Sequence, residues 1–402
     1  MKTFFIELKS ICKSFRFLAL MLVLLSLLVM LFAKFQIEQN IDYENALRQL
    51  NREVQKTTEW VDYWRHHQEY YYKHGVPRTW YEIEEVEYQL EDYTRQRDKA
   101  LVLQQAYRDK DWRAYNLAMN DITGGSPFYT YLAEKNLPPI GPRDTTPWGF
   151  LRNSWRQLLP KVLGIIALLF SVNRIHQDRR YGTIKTRLQQ PKKRIFYLTR
   201  KTALSFTASC LIVFIPFVLM FTFLGVGQGY AGANLPVLYS NERLFQLFRS
   251  DEDYFERQAE AKVYCIGPDQ VAEPWGGRFE VFYISGVEYI ALWKLLLLSA
   301  LLIALFILFC TVLALLISVV VKKEVLAQII AIVVFLFGSS FGYIFPKHST
   351  SAIDLFSKAD AVRIVEGSSW SATFLNSIVT LLIATILLFA ICAFVFRRQD
   401  EH

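Results

Sequence analysis

Residues Asn173 to Lys201 read NRIHQDRRYGTIKTRLQQPKKRIFYLTRK, with ten Lys/Arg against one acid, Asp178. The stretch holds no cluster of catalytic residues. What it offers is recognition. Gly182 permits a sharp backbone turn, Ile184 and Leu188 supply apolar contacts for a short amphipathic helix, and Pro191 stops or kinks that helix. A piece of this kind lies along a membrane surface, or docks into a groove on a soluble partner. Simple charge anchoring at a membrane face accounts for its basic residues, but not for the order of Gly182-Thr183, Pro191 and Lys193-Arg194.

Other candidates are fewer. Trp60 and Trp64 belong to an aromatic-rich stretch with Tyr63, Tyr70, Tyr71 and Tyr72. Such rings suit a substrate-contacting or lipid-facing surface; the core of a helical hairpin is the expected reading. His66, His67 and His74 are nearby, and without a ligand geometry they read as solvated side chains. Asn376 and Thr380 share one face of the last apolar segment, where packing against a neighbouring helix is expected ahead of lining a pathway. The chain contains no GxxxxGK[ST] phosphate loop, no HExxH, no GxSxG and no CxxC. It therefore has no phosphate loop of its own, no motif for hydrolysis and no metal centre, and the expectation is a non-enzyme. Acid pairs at the centres of apolar segments, as proton-coupled carriers need, are missing as well.

The elements that position these residues follow from hydropathy. Hydrophobic residues make up 52% of the chain and are gathered in long runs rather than spread at helix or strand period. About 20 apolar residues cross the hydrocarbon of a bilayer. Six runs qualify: Phe17–Phe35, Phe150–Val172, Ala203–Val226, Trp293–Val321, Val325–Phe345 and Ala372–Phe396. The second is interrupted by Arg152, Arg156 and Lys161. The net charge of +8 sits mainly beside these runs, which fits membrane orientation and not a nucleic-acid groove. Lys2, Lys9, Lys13 and Arg16 precede the first run, the Asn173–Lys201 stretch follows the second, Lys322 and Lys323 follow the fourth, and Arg397 and Arg398 follow the last. Six crossings put all four groups on one face, which the positive-inside rule makes cytoplasmic. The fold expected is an all-α integral membrane protein with N-in/C-in topology. The first run, too long for a signal core and without a small-residue cleavage site, reads as a retained helix.

The chain then divides into 1–35 (tail and first span), 36–149 (extracellular helical domain), 150–226 (spans two and three with a cytoplasmic loop at 173–202), 227–292 (a smaller, mixed extracellular segment) and 293–402 (spans four to six). In the large outer domain Leu47, Leu50, Val54, Thr57, Val61 and Trp64 recur at 3-4 spacing, as do Ile83, Val86, Leu90, Tyr93, Arg97 and Ala100. This is the seam of a helical hairpin turning at Gly75-Val76-Pro77. A shorter helix, Trp112–Asn120, and a stiff Pro138–Pro142 linker follow. The second outer segment is acidic, with a helix expected from Asp251 to Lys262 and a strand over Arg278–Ile284. Its Cys265 has no outer partner for a disulfide. The third, Pro346–Ser371, is short and polar. Gly338 and Gly342 form a GxxxG pattern that allows close approach.

The order Asp178, Gly182-Thr183, Leu188, Pro191, Lys193-Arg194 after a second span, with Lys201 at the mouth of the third, resembles the ABC transporter type-2 permease family, in particular Gram-positive members with a large extracellular helical insertion, where phrases such as AYRDKDWRAYNLAMND (Ala106–Asp121) recur. Many relatives carry Glu where this chain has Asp178. The resemblance implies that Asp178, Gly182, Thr183, Ile184, Leu188, Pro191, Lys193 and Arg194 form a coupling helix seated in a cleft of a separate ABC ATPase dimer. That dimer would bind ATP and magnesium. It also implies a second permease copy, as homodimer or heterodimer, a place in the bacterial cytoplasmic membrane, and export of a peptide, lipid or hydrophobic compound. The alternative is a non-transporting receptor or scaffold that binds a peptide or cell-wall component through its outer helices.

Overall fold

The computed structural model describes residues 2–74, 80–123, 125–139, 143–180, 194–240, 287–344, 354–366 and 372–398. Within them the chain is almost wholly helical. The helices are α1 (Lys2–Cys12), α2 (Phe15–His74), α3 (Trp80–Asp109), α4 (Trp112–Ile122), α5 (Pro127–Glu134), α6 (Pro147–Gln157), α7 (Leu159–Arg180), α8 (Arg194–Gln228), α9 (Leu292–Val320), α10 (Glu324–Ile344), α11 (Ala361–Glu366) and α12 (Phe374–Arg398). The strands β1 (Pro236–Ser240) and β2 (Val287–Ala291) pair antiparallel, with Pro236 opposite Ala291. Five helices are long and apolar enough to cross a membrane: α2, α7, α8, α9 and α12. The expected helix at Asp251–Lys262, the strand at Arg278–Ile284, Cys265 and the turn at Gly75-Val76-Pro77 lie outside the described residues.

The first apolar run and the first helix of the 36–149 region are one element. No Gly or Pro falls between Phe15 and His74, so nothing in the backbone ends the helix at the limit of the apolar run. At 1.5 Å per residue its 60 residues reach about 90 Å, three times the hydrocarbon thickness. Helix α3 returns antiparallel along its far half. Trp60 stacks on Tyr93 (5.5 Å between centroids), Gln104 donates to Asn51 (2.6 Å), and Tyr43 stacks on Tyr107 (4.9 Å). The seam residues Leu50, Thr57, Val61, Val86 and Ala100 are buried, as 3-4 spacing requires, whereas Ile83 is exposed. Helix α4 starts where Asp111 accepts from the Ala114 amide (3.1 Å), a side-chain cap. At the foot of the hairpin, Arg143 spans Glu38 (3.1 Å) and Asp42, and Thr145 donates to Gln39 (2.9 Å).

The second span departs from expectation. The sequence places it at Phe150–Val172, but the helix is broken at Leu158, and the long apolar element is α7, displaced towards Arg180. Pro160 supplies the reason. It has no amide hydrogen, and its ring would collide with the carbonyl four residues earlier in a continuous helix. Arg152 and Arg156, which seemed to interrupt a span, therefore lie on α6, a separate short helix. Helices α7 and α9 form the buried centre, with α8, α10 and α12 packed around them. A Cβ at Gly164 would fall inside the Phe335 ring, so α7 and α10 meet closely there. The Ser318 hydroxyl donates to the Val172 carbonyl, and Ser171 and Ser209 pair at 3.5 Å, fastening α7 to α9 and α8.

The third outer segment is not merely short and polar. Residues 354–366 fold back among the long helices. Phe356 packs edge-on against Phe306 (6.3 Å), Phe309 (5.8 Å) and Phe335 (5.9 Å). Its ring also occupies the space that a Cβ at Gly338 would fill. The small residue at 338 thus admits an aromatic ring from this segment. Helix α9 receives its first amide hydrogens' partners from the strand layer: Leu292 donates to the Leu235 carbonyl (2.9 Å) and Trp293 to that of Ala233 (3.0 Å).

Candidate functional site

Of the eight residues expected to form the coupling helix, Asp178 and Arg194 are described, and Gly182, Thr183, Ile184, Leu188, Pro191 and Lys193 lie outside the described residues. The site's geometry is therefore that of the two flanks of 181–193. Helix α7 brings Asp178 to its last turn; helix α8 brings Tyr197 and Lys201 to its first two. The Asp178 carboxylate accepts from Lys201 Nζ at 2.7 Å and from the Tyr197 hydroxyl. Both charged side chains are close to fully buried, at 13% and 11% exposure. In such surroundings a charge is tolerable only because its partner is present. Tyr197 also stacks on Phe396 of α12 (5.9 Å, 14°), so the same ring ties α8 to the last helix.

Arg179, the next residue, turns the other way. Its guanidinium donates to the carbonyls of Ser318 (2.8 Å), Val319 (3.3 Å) and Val321 (3.4 Å). These are carbonyls of the last turn of α9, which have no partner within the helix. A cation there also meets the negative end of the helix dipole. Arg194 does the equivalent for α12, donating to the Arg397 carbonyl at 3.0 Å. Both flanks of 181–193 are thus fastened to helix ends and to each other.

The surrounding contacts place all four basic groups at one end of the bundle. Arg16 pairs with Glu324 at the start of α10 (3.1 Å), and Gln328 of α10 joins Asn173 of α7 (2.7 Å). Glu7 of α1 pairs with Arg200 of α8 (2.9 Å). Helix α1 itself lies against α8 with Leu8, Ile11 and Cys12 inward and Phe5 and Ile6 exposed. The start of α2, the facing ends of α7 and α8, the start of α10 and the end of α12 are accordingly neighbours.

A family model described as ABC-2 family transporter protein matches residues 3–401, nearly the whole chain. The chain belongs to the ABC-2 transporter family. It is a multi-pass membrane protein of that family. No curated protein and no solved structure matches it.

This ABC-2 chain carries a second polar cluster at the opposite end of the bundle, which the sequence did not disclose. Arg152 of α6, 3% exposed, meets Glu366 of α11 at 2.6 Å, with Arg156 at 3.9 Å from the same carboxylate. Lys358 is wholly buried and donates to the Asn376 amide oxygen at 3.3 Å. Burial drives the Lys358 ammonium down to about 8 against the pull of Asp354. Burial likewise pushes the Asp360 carboxyl up to about 6, although Arg363 and Arg156 oppose it. Asn376 therefore serves the 354–366 segment, and Thr380 donates back to the Asn376 carbonyl in its own helix (2.7 Å). Trp60 and Trp64 stand apart from both clusters. Trp60 stacks within the hairpin, and Trp64 is half-buried beside Tyr63 and His67. Among the described residues no group of His, Cys, Asp and Glu has the arrangement of a metal site.

Proposed function

We propose that this ABC-2 protein is the membrane-spanning permease subunit of an ATP-driven exporter, itself without enzymatic activity. A separate ABC ATPase dimer hydrolyses ATP, and two permeases, identical or different, pair around the pathway in the bacterial cytoplasmic membrane. The basic end faces the cytoplasm with both termini, which six crossings and the positive-inside rule require. The 36–149 hairpin and the segments at 227–292 and 346–371 then lie outside.

The observation that carries this reading is the fastening of both flanks of 181–193. Asp178–Lys201 and Tyr197 close the loop's base, while Arg179 and Arg194 attach it to the ends of α9 and α12. A force applied to Gly182–Lys193 by the ATPase therefore reaches four long helices directly and is not lost in a slack connection. Gly182, Thr183, Ile184, Leu188, Pro191 and Lys193 form the docking surface in this reading, with Asp178 and Arg194 as its footings. The cargo is a peptide, lipid or hydrophobic compound.

The test uses the full chain in membrane vesicles. Affinity capture should recover an ABC ATPase, and Gly182→Pro or Leu188→Asp should abolish substrate-stimulated ATP hydrolysis while leaving the permease in the membrane. Normal coupling in both variants, or modification of a Gly182→Cys thiol only from outside the cell, would overturn the assignment.

A further inference from the structure

The outer hairpin carries a groove that packing leaves open. It runs along one face of α3 from Glu87 to Val102, a length of about 22 Å at the helical rise. Gln68 of α2 lies at one end and Ala118 and Asp121 of α4 at the other, and the open hollow has a volume of about 690 Å³. Leu90, Thr94, Val102 and Ala118 are among the residues that line it, and Val102 is 53% exposed. Four carboxylates also line it, Glu87, Glu91, Asp98 and Asp121, against the two cations Arg95 and Lys99. A second hollow of about 530 Å³, between Gln68 and Lys73, continues it towards the tip.

The carboxylates are held by replaceable partners. Glu91 meets Arg95 at 3.0 Å, Asp121 meets Lys99 at 2.9 Å, Asp98 meets Arg97 at 2.9 Å, and Glu87 accepts from the Tyr72 hydroxyl at 2.9 Å. The first three acids are 75%, 70% and 60% exposed. Ion pairs at such exposure hold weakly in water, so an incoming cation displaces them at little cost. A lining that sets Leu90, Val102 and Ala118 among four carboxylates and two cations is complementary to an amphipathic partner that presents apolar and Lys or Arg side chains together.

We propose that this groove binds a cationic amphipathic peptide, held as a helix of about four turns, the number that fits its length. A lipid surface is the wrong occupant on geometry. The groove runs beside α2 from Gln68 to near Asn51, so even its inner end lies some 16 residues or about 24 Å past the end of the apolar run at Phe35. Headgroups do not extend that far. The proposal concerns recognition alone and is independent of whether the peptide is afterwards exported.

The experiment places the full chain, without any ATPase, in nanodiscs of neutral phosphatidylcholine. The probe is a 15-residue Leu/Lys peptide of amphipathic period, carrying a fluorophore and a photo-crosslinker. Binding should weaken by about tenfold or more in Glu87→Gln/Glu91→Gln/Asp98→Asn/Asp121→Asn and on raising the salt. It should weaken comparably in Val102→Lys, which sets a cation in place of an exposed apolar lining side chain. Crosslinks should map to α3 and α4. Equal binding by both variants, equal binding of a Leu/Glu peptide of the same period, or uptake no greater than by empty nanodiscs would each overturn it. Because the substituted side chains are exposed, an unchanged melting curve identifies folded variants. Loss of peptide binding with normal ATPase coupling would leave the permease assignment intact, and the converse would leave this one intact.

Discussion

Asp178 and Lys201 stand 2.7 Å apart on the two helices that frame residues 181–193. Neither belongs to the loop, yet together they set the distance between its ends. Replacing Asp178 with Asn leaves the Lys201 charge buried without its counter-ion, which should cost about 3 kcal/mol. Asp178→Asn/Lys201→Met removes both charges and should recover more than half of that loss. Thermal melts of the detergent-solubilised protein, arranged as a double-mutant cycle, give the coupling energy. Additive effects of the two substitutions would mean that the pair does not fasten the loop.

Arg179 is the second fastening. Arg179→Ala removes three donors from the last turn of α9, and should lower stability by roughly 2 kcal/mol through unsatisfied carbonyls. Arg179→Lys should restore only part, because an ammonium cannot reach the carbonyls as a planar fork does. Hydrogen exchange should quicken at residues 316–321 in the alanine variant, and unchanged protection there would refute the capping role.

Phe356 and Gly338 make a paired test of the inward-folded segment. Phe356→Ala empties a site lined by three phenylalanines and should cost about 3–5 kcal/mol. Gly338→Val drives a side chain into the same ring and should cost about 2 kcal/mol or more. In the double variant the valine occupies vacated space, so the melt should lie above that of Phe356→Ala alone. A double variant less stable than either single one would show that the segment does not seat there.

Asp360 gives the same segment a pH dependence. Its folded form keeps a proton up to about pH 6, whereas an ordinary carboxyl loses it near 4. The folded state therefore gains relative stability below pH 4 and loses it as pH rises through 6, on the order of 2–3 kcal/mol in all. Lys358, titrating near 8, lies outside that window. Subtracting the pH 4–7 stability profile of Asp360→Asn from that of the wild type isolates the contribution. A flat difference profile would remove Asp360 from this role.

What the residues disclosed in advance was whatever repeats or accumulates. The seam at Leu50, Thr57 and Val61 is readable because helical period repeats, and the membrane runs are readable because twenty apolar residues leave few alternatives. Single-residue events were less visible. Pro160 was the signal that the second span begins late, but its effect lies in one missing hydrogen bond within an otherwise apolar run. Ala361, Val362, Ile364 and Val365, apolar on either side of Arg363, were the signal for a mostly buried helix in the 354–366 segment. The ion pair of Arg152 with Glu366 joins positions far apart in sequence, and no local pattern announces such a partner. Asp178 and Arg194 were singled out, but their tertiary partners Tyr197 and the Arg397 carbonyl were not, because stacking and capping across helices leave no periodic trace.

The unbroken course of α2 from Phe15 to His74 makes the helix of the first apolar run a lever whose fulcrum lies in the bilayer. Its outer arm is about 60 Å long, so a tilt of about 10° in the buried part sweeps the hairpin tip through roughly 10 Å. Small rearrangements among packed spans are thereby magnified far from the membrane, and a spin label near residue 70 would register them as displacement.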